Sequence, residues 1–309
     1  MSLVVRVGAA RAAWWRDILQ SLLPEVEVRL WDDPGDRSKV EYAVVWQPPP
    51  GGLKTFPNLK VIVSMGAGID HVLRDPELPT HLPIIRTVGP DLTQRMREYV
   101  ILHVLRFHRR LPEIEDSFRR KEWNQIITPV APDRPVGMLG LGNMGADCAR
   151  HLAEIGFEVH GWSRRPKTLD GIICHHGPAG LDDLLKRVEI LVCLLPLTPA
   201  TEGILNRELF AKLPKGACVI NCGRGQHLVE EDLIPALESG QLGGATLDVL
   251  HVEPAAADHP FWSHPKILLT PHIASLIDPE AGAKLIAANL KRFMAGEPVP
   301  DMVNVAQGY

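Results

Sequence analysis

No stretch of the 309-residue chain approaches the roughly 20 consecutive apolar residues that a membrane-spanning helix requires. The longest apolar runs, such as 190–195, are strand length. Excess positive charge is missing too: 33 Lys and Arg against 37 Asp and Glu leave a formal charge of −4. Such a balance gives no summed field for a phosphate backbone, which excludes a bulk electrostatic nucleic-acid binder. Cysteine is scarce and unpatterned. Cys148, Cys174, Cys193, Cys218 and Cys222 are odd in number, show no CxxC spacing and sit partly in apolar runs. Reduced thiols in a cytoplasmic protein are the expectation. The opening Met1-Ser-Leu-Val-Val-Arg6 puts no basic leader before an apolar run, so it reads as a first strand and not as a secretory peptide. Repeats of solenoid period are absent.

What is present is a long, ordinary globular chain with 45% apolar and 23% charged residues, so two domains are expected. The 27 prolines fall singly or in short clusters and punctuate folded structure. Strand-like runs at 4–7, 26–30, 42–46, 60–64 and 84–88 surround a helix-like stretch at 9–23 and a Pro-Pro-Pro-Gly-Gly loop at 48–52. This predicts an α/β unit with a mostly parallel sheet. A long helix is expected over 93–110, where Met96, Tyr99, Val100, His103, Val104 and Phe107 recur at helical spacing. A mixed segment runs to Asp133. A second, more regular α/β run follows, with strands expected at 136–139, 158–162, 190–194, 217–221, 244–249 and 267–270. Helices are expected at 146–155, 181–186, 207–212, 230–239 and, last, 280–295. Periodicity does not assign that last helix to either unit.

The sharpest local pattern is Gly140-Leu-Gly142-Asn143-Met144-Gly145, a GxGxxG directly after a strand and before a helix. Gly140 permits a tight turn, Gly142 lets a pyrophosphate approach the backbone, and Gly145 permits close helix–sheet packing. The helix that follows offers free amides and its positive end to an anion. The bland reading is a tight strand–helix turn in another α/β enzyme. At the tip of the next strand, where an NAD-binding sheet usually presents an acid, stands Ser163-Arg164-Arg165. These residues can hold a 2′-phosphate by charge-assisted hydrogen bonds, so NADPH is expected over NADH. The alternative is a solvated pair of arginines.

Three polar residues follow later apolar strands: Arg224, Glu253 and His272. Ligands of open α/β sheets bind beyond the carboxyl ends of strands, so the three could converge. An arginine fork can hold a carboxylate, and a carboxylate-backed histidine can exchange a proton with a carbonyl. With a nicotinamide, this set describes hydride transfer between 2-oxo and 2-hydroxy acids. A surface ion pair, a loop acid before Pro254 and a hydrogen-bonded histidine remain the plain alternatives.

Asn221-Cys-Gly-Arg224-Gly225, Leu247-Asp248-Val-Leu-His-Val-Glu253-Pro254 and Thr270-Pro-His272-Ile-Ala-Ser275 resemble the signature segments of the D-isomer-specific 2-hydroxyacid dehydrogenases. Residues 136–145 resemble their nucleotide motif, and Leu195-Pro196-Leu-Thr198-Pro-Ala-Thr201 resembles their loop beside the cofactor. Trp46-Gln-Pro-Pro, Ser64-Met-Gly-Ala67-Gly68-Ile-Asp70 and Trp162-Ser-Arg164 are similar to the glyoxylate/hydroxypyruvate reductase A branch. The resemblance runs over nearly the whole chain. It departs at Cys222-Gly223, where a small or apolar pair is more common, and in the Pro- and Gly-rich loop at 47–52.

The resemblance implies two Rossmann-like or flavodoxin-like domains with parallel sheets. The substrate domain is discontinuous, at 1–95 and 276–309, around a nucleotide domain at 96–275. It implies catalysis by Arg224, Glu253 and His272. The substrate would be held by Trp46, Ala67, Gly68 and Arg224. Contacts to NADPH or NADP would come from Gly140, Gly142, Asn143, Met144, Gly145, Ser163, Arg164, Arg165, Leu195, Pro196, Thr201 and Asp248. No metal, membrane or nucleic acid is implied, and a homodimer through the nucleotide domain is. Small 2-oxo acids such as glyoxylate and hydroxypyruvate would be the substrates, with larger 2-oxo acids as the alternative. Formate enzymes of the superfamily carry Gln where Glu253 stands, which argues against that reaction. A dinucleotide-sensing corepressor would retain the same three residues but adds tails, and none is expected after Tyr309.

Overall fold

The computed structural model describes residues 1–303 and 305, so the stretch ending at Tyr309 lies largely outside the described residues. The chain divides into two compact units, Met1–Leu92 with Ile277–Tyr309, and Thr93–Leu276.

The first unit starts with β1 (Ser2–Arg6), α1 (Ala9–Leu22), β2 (Glu27–Leu30), β3 (Val40–Val45), β4 (Val61–Ser64), α2 (Asp70–Leu73) and β5 (Ile84–Arg86). Its strands pair in parallel in the order β2-β1-β3-β4-β5. The order reverses between β1 and β3, and that reversal opens a crevice beyond the carboxyl ends of the strands. Trp46 directly follows β3, and Ala67 and Gly68 lie just beyond β4.

The long helix α3 spans Pro90–His108, beginning three residues before its expected start. A proline in the first helical turn gives up an N–H that has no intrahelical partner in any case. The helix ends where Arg110 takes a left-handed φ of 52°. A further helix, α4 (Leu111–Arg119), then occupies part of the segment that sequence left mixed.

The second unit continues with β6 (Val136–Leu139), α5 (Asn143–Ile155), β7 (Val159–Ser163), β8 (Ile173–His176), α6 (Gly177–Leu185) and β9 (Ile190–Cys193). After these come α7 (Arg207–Lys212), β10 (Ala217–Asn221), α8 (Glu230–Glu238), β11 (Leu242–Leu247) and β12 (Ile267–Leu269). All seven strands are parallel, in the order β12-β11-β10-β9-β6-β7-β8. The reversal falls between β6 and β9. Strand side chains alternate between two cores: Met138, Val192 and Ile220 pack with α3 and α5, while Leu139, Leu191 and Val219 pack with α6, α7 and α8. Each fully buried Leu, Val or Ile contributes about 1.5–3 kcal/mol. Both faces are covered, which is why these strands read as continuous apolar runs.

The chain then returns to the first unit with α9 (Pro279–Met294) and β13 (Met302–Val303). Ala283, Ile286, Ala287 and Leu290 of α9 share one core with Trp15 and Leu19 of α1 and Val5, Val44 and Val63 of the sheet. The last helix therefore belongs to the first unit. One detail departs from a wholly parallel sheet, since β13 pairs antiparallel with β5 at the edge. No helix of the described residues is long and apolar enough to cross a membrane.

The buried cysteines of the second unit give a direct check on its packing. Burial pushes the Cys148 and Cys193 thiols up to about 12 and the Cys222 thiol well above its ordinary value. At pH 8 a thiol with such a pKa is thiolate in about one molecule in ten thousand. A thiol-disulfide reagent at pH 8 should therefore leave these three unmodified on the time that denatured chain yields all five, as read by absorbance and mass.

Candidate active site

Arg224, Glu253 and His272 come from loops beyond the ends of three neighbouring strands, β10, β11 and β12. The arginine's loop is shaped by its neighbours. Buried Asn221 donates from Nδ2 to the Arg224 carbonyl at 3.0 Å and accepts from the Gly223 N–H at 3.2 Å. The Arg224 N–H donates to His227 Nδ1 at 3.0 Å, and the guanidinium donates to the Gly223 carbonyl at 2.8 Å. A Cβ added to Gly225 would lie 1.9 Å from the Leu250 carbonyl carbon. Glycine at 225 thus lets the arginine turn press against the 250–253 loop, which carries the glutamate.

Glu253 accepts from the Leu250 N–H at 3.1 Å through Oε1 and from His272 Nδ1 at 2.7 Å through Oε2. The carboxylate on Nδ1 fixes the tautomer of the His272 ring, with a proton on Nδ1. Both side chains are about one-third exposed, at 35% and 36%, so a small ligand can reach them. Burial works against ionisation of Glu253. The His272 hydrogen bond and charge, the Leu250 amide and the Arg224 charge outweigh it and hold the carboxyl below its ordinary value. The three residues thus form one electrostatic group.

His272 is held in a left-handed backbone conformation, φ 53°, rare for a residue with a side chain. Its N–H donates to the carbonyls of Asp248 and Thr270, each at 2.9 Å. The Asp248 carboxylate receives the Ile273 and Ala274 N–H groups at 2.8 and 2.9 Å and the Thr270 hydroxyl at 2.6 Å. Since that hydroxyl donates to Asp248, the Tyr99 hydroxyl, 2.6 Å from Thr270 Oγ1, donates to Thr270. Desolvation raises the Asp248 pKa despite these bonds. Strain of about 1–3 kcal/mol at such a backbone persists only where the surroundings over-determine it. Asp248, expected among the cofactor contacts, is 2% exposed and aims its carboxylate at the histidine turn. Tyr99, Thr270 and His227 were missed as site supports. Tyr99 lies 171 residues from Thr270 in sequence, whereas His227 stands three after Arg224 and the TPH segment already contained Thr270.

The glycine turn joins the ends of β6 and β9. Gly140 has φ 101°, and an added Cβ would lie 2.6 Å from the Leu194 carbonyl; at Gly145 it would lie 1.9 Å from the Gly140 carbonyl. At Gly142 it would meet nothing within 4 Å, which is the open approach a pyrophosphate needs. Asn143 and Met144 start α5, with Gly142 as its N-cap and no side chain capping the helix. Ser163 ends β7 and donates to the Arg165 carbonyl at 2.8 Å, with Arg164 and Arg165 exposed beside it. Lys167, unnoticed in the sequence, donates to the Leu141 carbonyl at 2.5 Å and so ties this loop to the glycine turn. Leu195 is buried, and Thr201 Oγ1 donates to the Pro196 carbonyl at 2.7 Å. Among the described residues no group of three His, Cys, Asp or Glu side chains could hold a metal.

In the first unit, the Trp46 ring packs on His71 at a tilt of 46°, with ring centroids 4.4 Å apart. Ala67 and Gly68 lie part-exposed in the turn after β4, and among the described residues no acceptor takes their N–H groups.

The model of the D-isomer specific 2-hydroxyacid dehydrogenase NAD-binding domain matches residues 101–274. Glyoxylate/hydroxypyruvate reductase A of Serratia proteamaculans is 41% identical over 300 residues, covering 96% of each chain. The chain belongs to the D-isomer-specific 2-hydroxyacid dehydrogenase family. The matched range runs from within α3 to the histidine turn and so takes in the glycine turn and all three polar loops. Among solved structures, a family member from Xanthobacter autotrophicus Py2 in complex with NADPH and MES is 41% identical, with a TM-score of 0.92 over 100% of this chain and 99% of that one. The NADPH-dependent glyoxylate/hydroxypyruvate reductase of Sinorhizobium meliloti, in complex with NADP and sulfate, is 38% identical, with a TM-score of 0.91 over 100% of both.

The depressed Glu253 value has a pH signature. A carboxyl whose folded pKa lies below its unfolded one adds stability above its ordinary range and loses it as pH falls through the folded value. Glu253→Gln should therefore lower the melting temperature near pH 7, with the deficit shrinking as pH is taken from about 6 toward 3. A deficit independent of pH would contradict the assignment.

Proposed function

We propose that this dehydrogenase reduces small 2-oxo acids, foremost glyoxylate and hydroxypyruvate, to 2-hydroxy acids with NADPH. The observation that carries the reading is the 2.7 Å bond that orients His272 on Glu253 beside the Arg224 loop. The cofactor, when bound, supplies a hydride to C2 of the acid. Amides of the Gly140–Gly145 turn and the start of α5 would hold its pyrophosphate, with Asn143, Met144, Leu195, Pro196 and Thr201 beside it. Ser163, Arg164 and Arg165 would hold the 2′-phosphate, with Lys167 fixing their loop.

Arg224 grips the substrate carboxylate and polarises the carbonyl. His272 donates its Nε2 proton to the developing alkoxide, and ionised Glu253 stabilises the imidazolium before that transfer. The Ala67 and Gly68 amides receive the carboxylate, and Trp46 limits bulk next to C3. In the reverse direction His272 Nε2 takes the proton from the alcohol. Glu253 also argues against formate oxidation, which needs no proton acceptor.

We extend the proposal to a cytoplasmic homodimer formed through the nucleotide-binding unit. Phe118 on α4 is 81% exposed, and Trp123 and Ile127 after it are 97% and 94% exposed, an apolar run of the kind a partner covers.

The test follows NADPH and NADH oxidation against glyoxylate, hydroxypyruvate, pyruvate and bulkier 2-oxo acids. Wild type should prefer NADPH and the two smallest hydrophilic acids. Arg164→Ala/Arg165→Ala should raise the KM for NADPH tenfold or more, about 1–3 kcal/mol, while the KM for NADH barely moves. A retained NADPH preference in that variant would overturn the phosphate assignment, and turnover of only bulky acids would overturn the substrate assignment.

A further inference from the structure

Beneath the Trp46 ring of the first unit lies a histidine that the mechanism above does not use. His71, on α2, is 8% exposed and engaged at both ring nitrogens. Nδ1 accepts from the Gln47 N–H at 3.1 Å, so the ring is neutral and carries its proton on Nε2. Nε2 lies 3.0 Å from the hydroxyl of Ser64, which is fully buried at the end of β4. Ser64 Oγ therefore accepts from His71. It also accepts from the Gly66 N–H at 3.3 Å and turns its own hydrogen to the carbonyls of Gly68 and Gly66, at 3.0 and 3.1 Å. Every bonding site of this hydroxyl is used inside the turn that contains Ala67 and Gly68.

The same ring sets the wall over that turn. Gln47 is held at a left-handed φ of 48° by its bond to Nδ1, and the Trp46 ring packs on the imidazole at a tilt. Trp46 in turn lies so close to the loop that a Cβ on Gly66 would come within 3.0 Å of its Cζ3. From the far side, Thr87 donates through its hydroxyl to the Ser64 carbonyl at 2.6 Å and through its N–H to the Gly66 carbonyl at 3.3 Å. The consequence is a turn whose carbonyls are tied inward while the amides of Ala67 and Gly68 have no acceptor among the described residues.

We propose that neutral His71, through Ser64, is the positioning residue that aims the Ala67 and Gly68 amides at the substrate carboxylate and seats Trp46 above them. This rests on the reading of those amides as the carboxylate receptor. His71 touches neither substrate nor cofactor, so its loss acts on substrate affinity and leaves cofactor binding in the other unit alone. A protonated ring would set an N–H against the Gln47 N–H and break the link, so only the neutral form serves.

The experiment is steady-state kinetics of the full chain with NADPH and hydroxypyruvate. His71→Phe keeps a ring beneath Trp46 but removes both hydrogen bonds, and Ser64→Ala removes the second half of the link. Each should raise the KM for hydroxypyruvate at least tenfold, with kcat within threefold and NADPH affinity, read by fluorescence quenching, within twofold. The double variant should be no worse than the worse single one, because the two act as a unit. His71→Gln, whose amide can still donate to Ser64, should recover most of the affinity. Ser64→Ala, a small change, carries the test if the phenylalanine variant does not fold. Gly68→Pro removes a receiving amide directly and separates the two levels of the argument. If Gly68→Pro raises the KM while His71→Phe and Ser64→Ala leave it unchanged, the role of His71 is overturned and the amides stand. If Gly68→Pro leaves the KM unchanged, the amide reading falls and the His71 proposal with it. Equal losses of kcat, hydroxypyruvate affinity and NADPH affinity in the His71 variants would mark a general structural role and also overturn the proposal.

Discussion

The hydrogen bond between His272 Nδ1 and Glu253 Oε2 is the interaction on which the proposed chemistry rests. It fixes the tautomer of the ring and keeps a negative charge beside it, which is what the proposed proton donor requires. Neither partner could hold this geometry alone. The histidine sits in a backbone conformation that resists occupation, and the glutamate sits in a loop without regular structure. What holds them is a second carboxylate, Asp248, spent wholly on the backbone and hydroxyl of the histidine turn, with Tyr99 behind it. The fold supplies the rest by ending three adjacent strands at one level, so residues 19 to 48 positions apart in sequence meet.

The two units solve the same problem in the same way. Each has a sheet whose parallel strands change order once, and in each the candidate groups lie beyond the carboxyl ends of the strands. In the second unit, glycines let backbone approach backbone and leave amides open to an anion. In the first unit a buried serine and a neutral histidine tie down the carbonyls of the turn that carries Ala67 and Gly68. Preorganisation of this kind is what lets backbone dipoles act on a charge without reorganising as it arrives.

Much of this was legible in the sequence because strand ends and glycine spacing are local. The runs at 136–139 and 217–221 became β6 and β10 without adjustment, since strands buried on both faces leave uninterrupted apolar stretches. GxGxxG stands between a strand and a helix as expected, because strand, turn and helix adjoin in the chain. Other parts were hidden for physical reasons. β8 is an edge strand of Ile, Cys and two His, half-exposed and without alternation, and its signal is weak. α4 follows a single left-handed residue that no composition marks. Asp248 was expected among the cofactor contacts from the resemblance alone; its hydrogen bonds to residues 22 to 26 positions onward are tertiary, and no local pattern marks them. His71 looked like one more residue of a loop, for its partners Ser64 and Gln47 are visible only once β3 and β4 lie side by side.

The most direct measurement of the central claim is single-turnover NADPH oxidation by His272→Ala with saturating glyoxylate, with cofactor affinity measured in parallel. Loss of the proton donor should slow the chemical step by 10²–10⁴-fold, while NADPH binds as in the wild type. A chemical step within about tenfold of wild type, or a loss explained wholly by failed NADPH binding, would contradict the account.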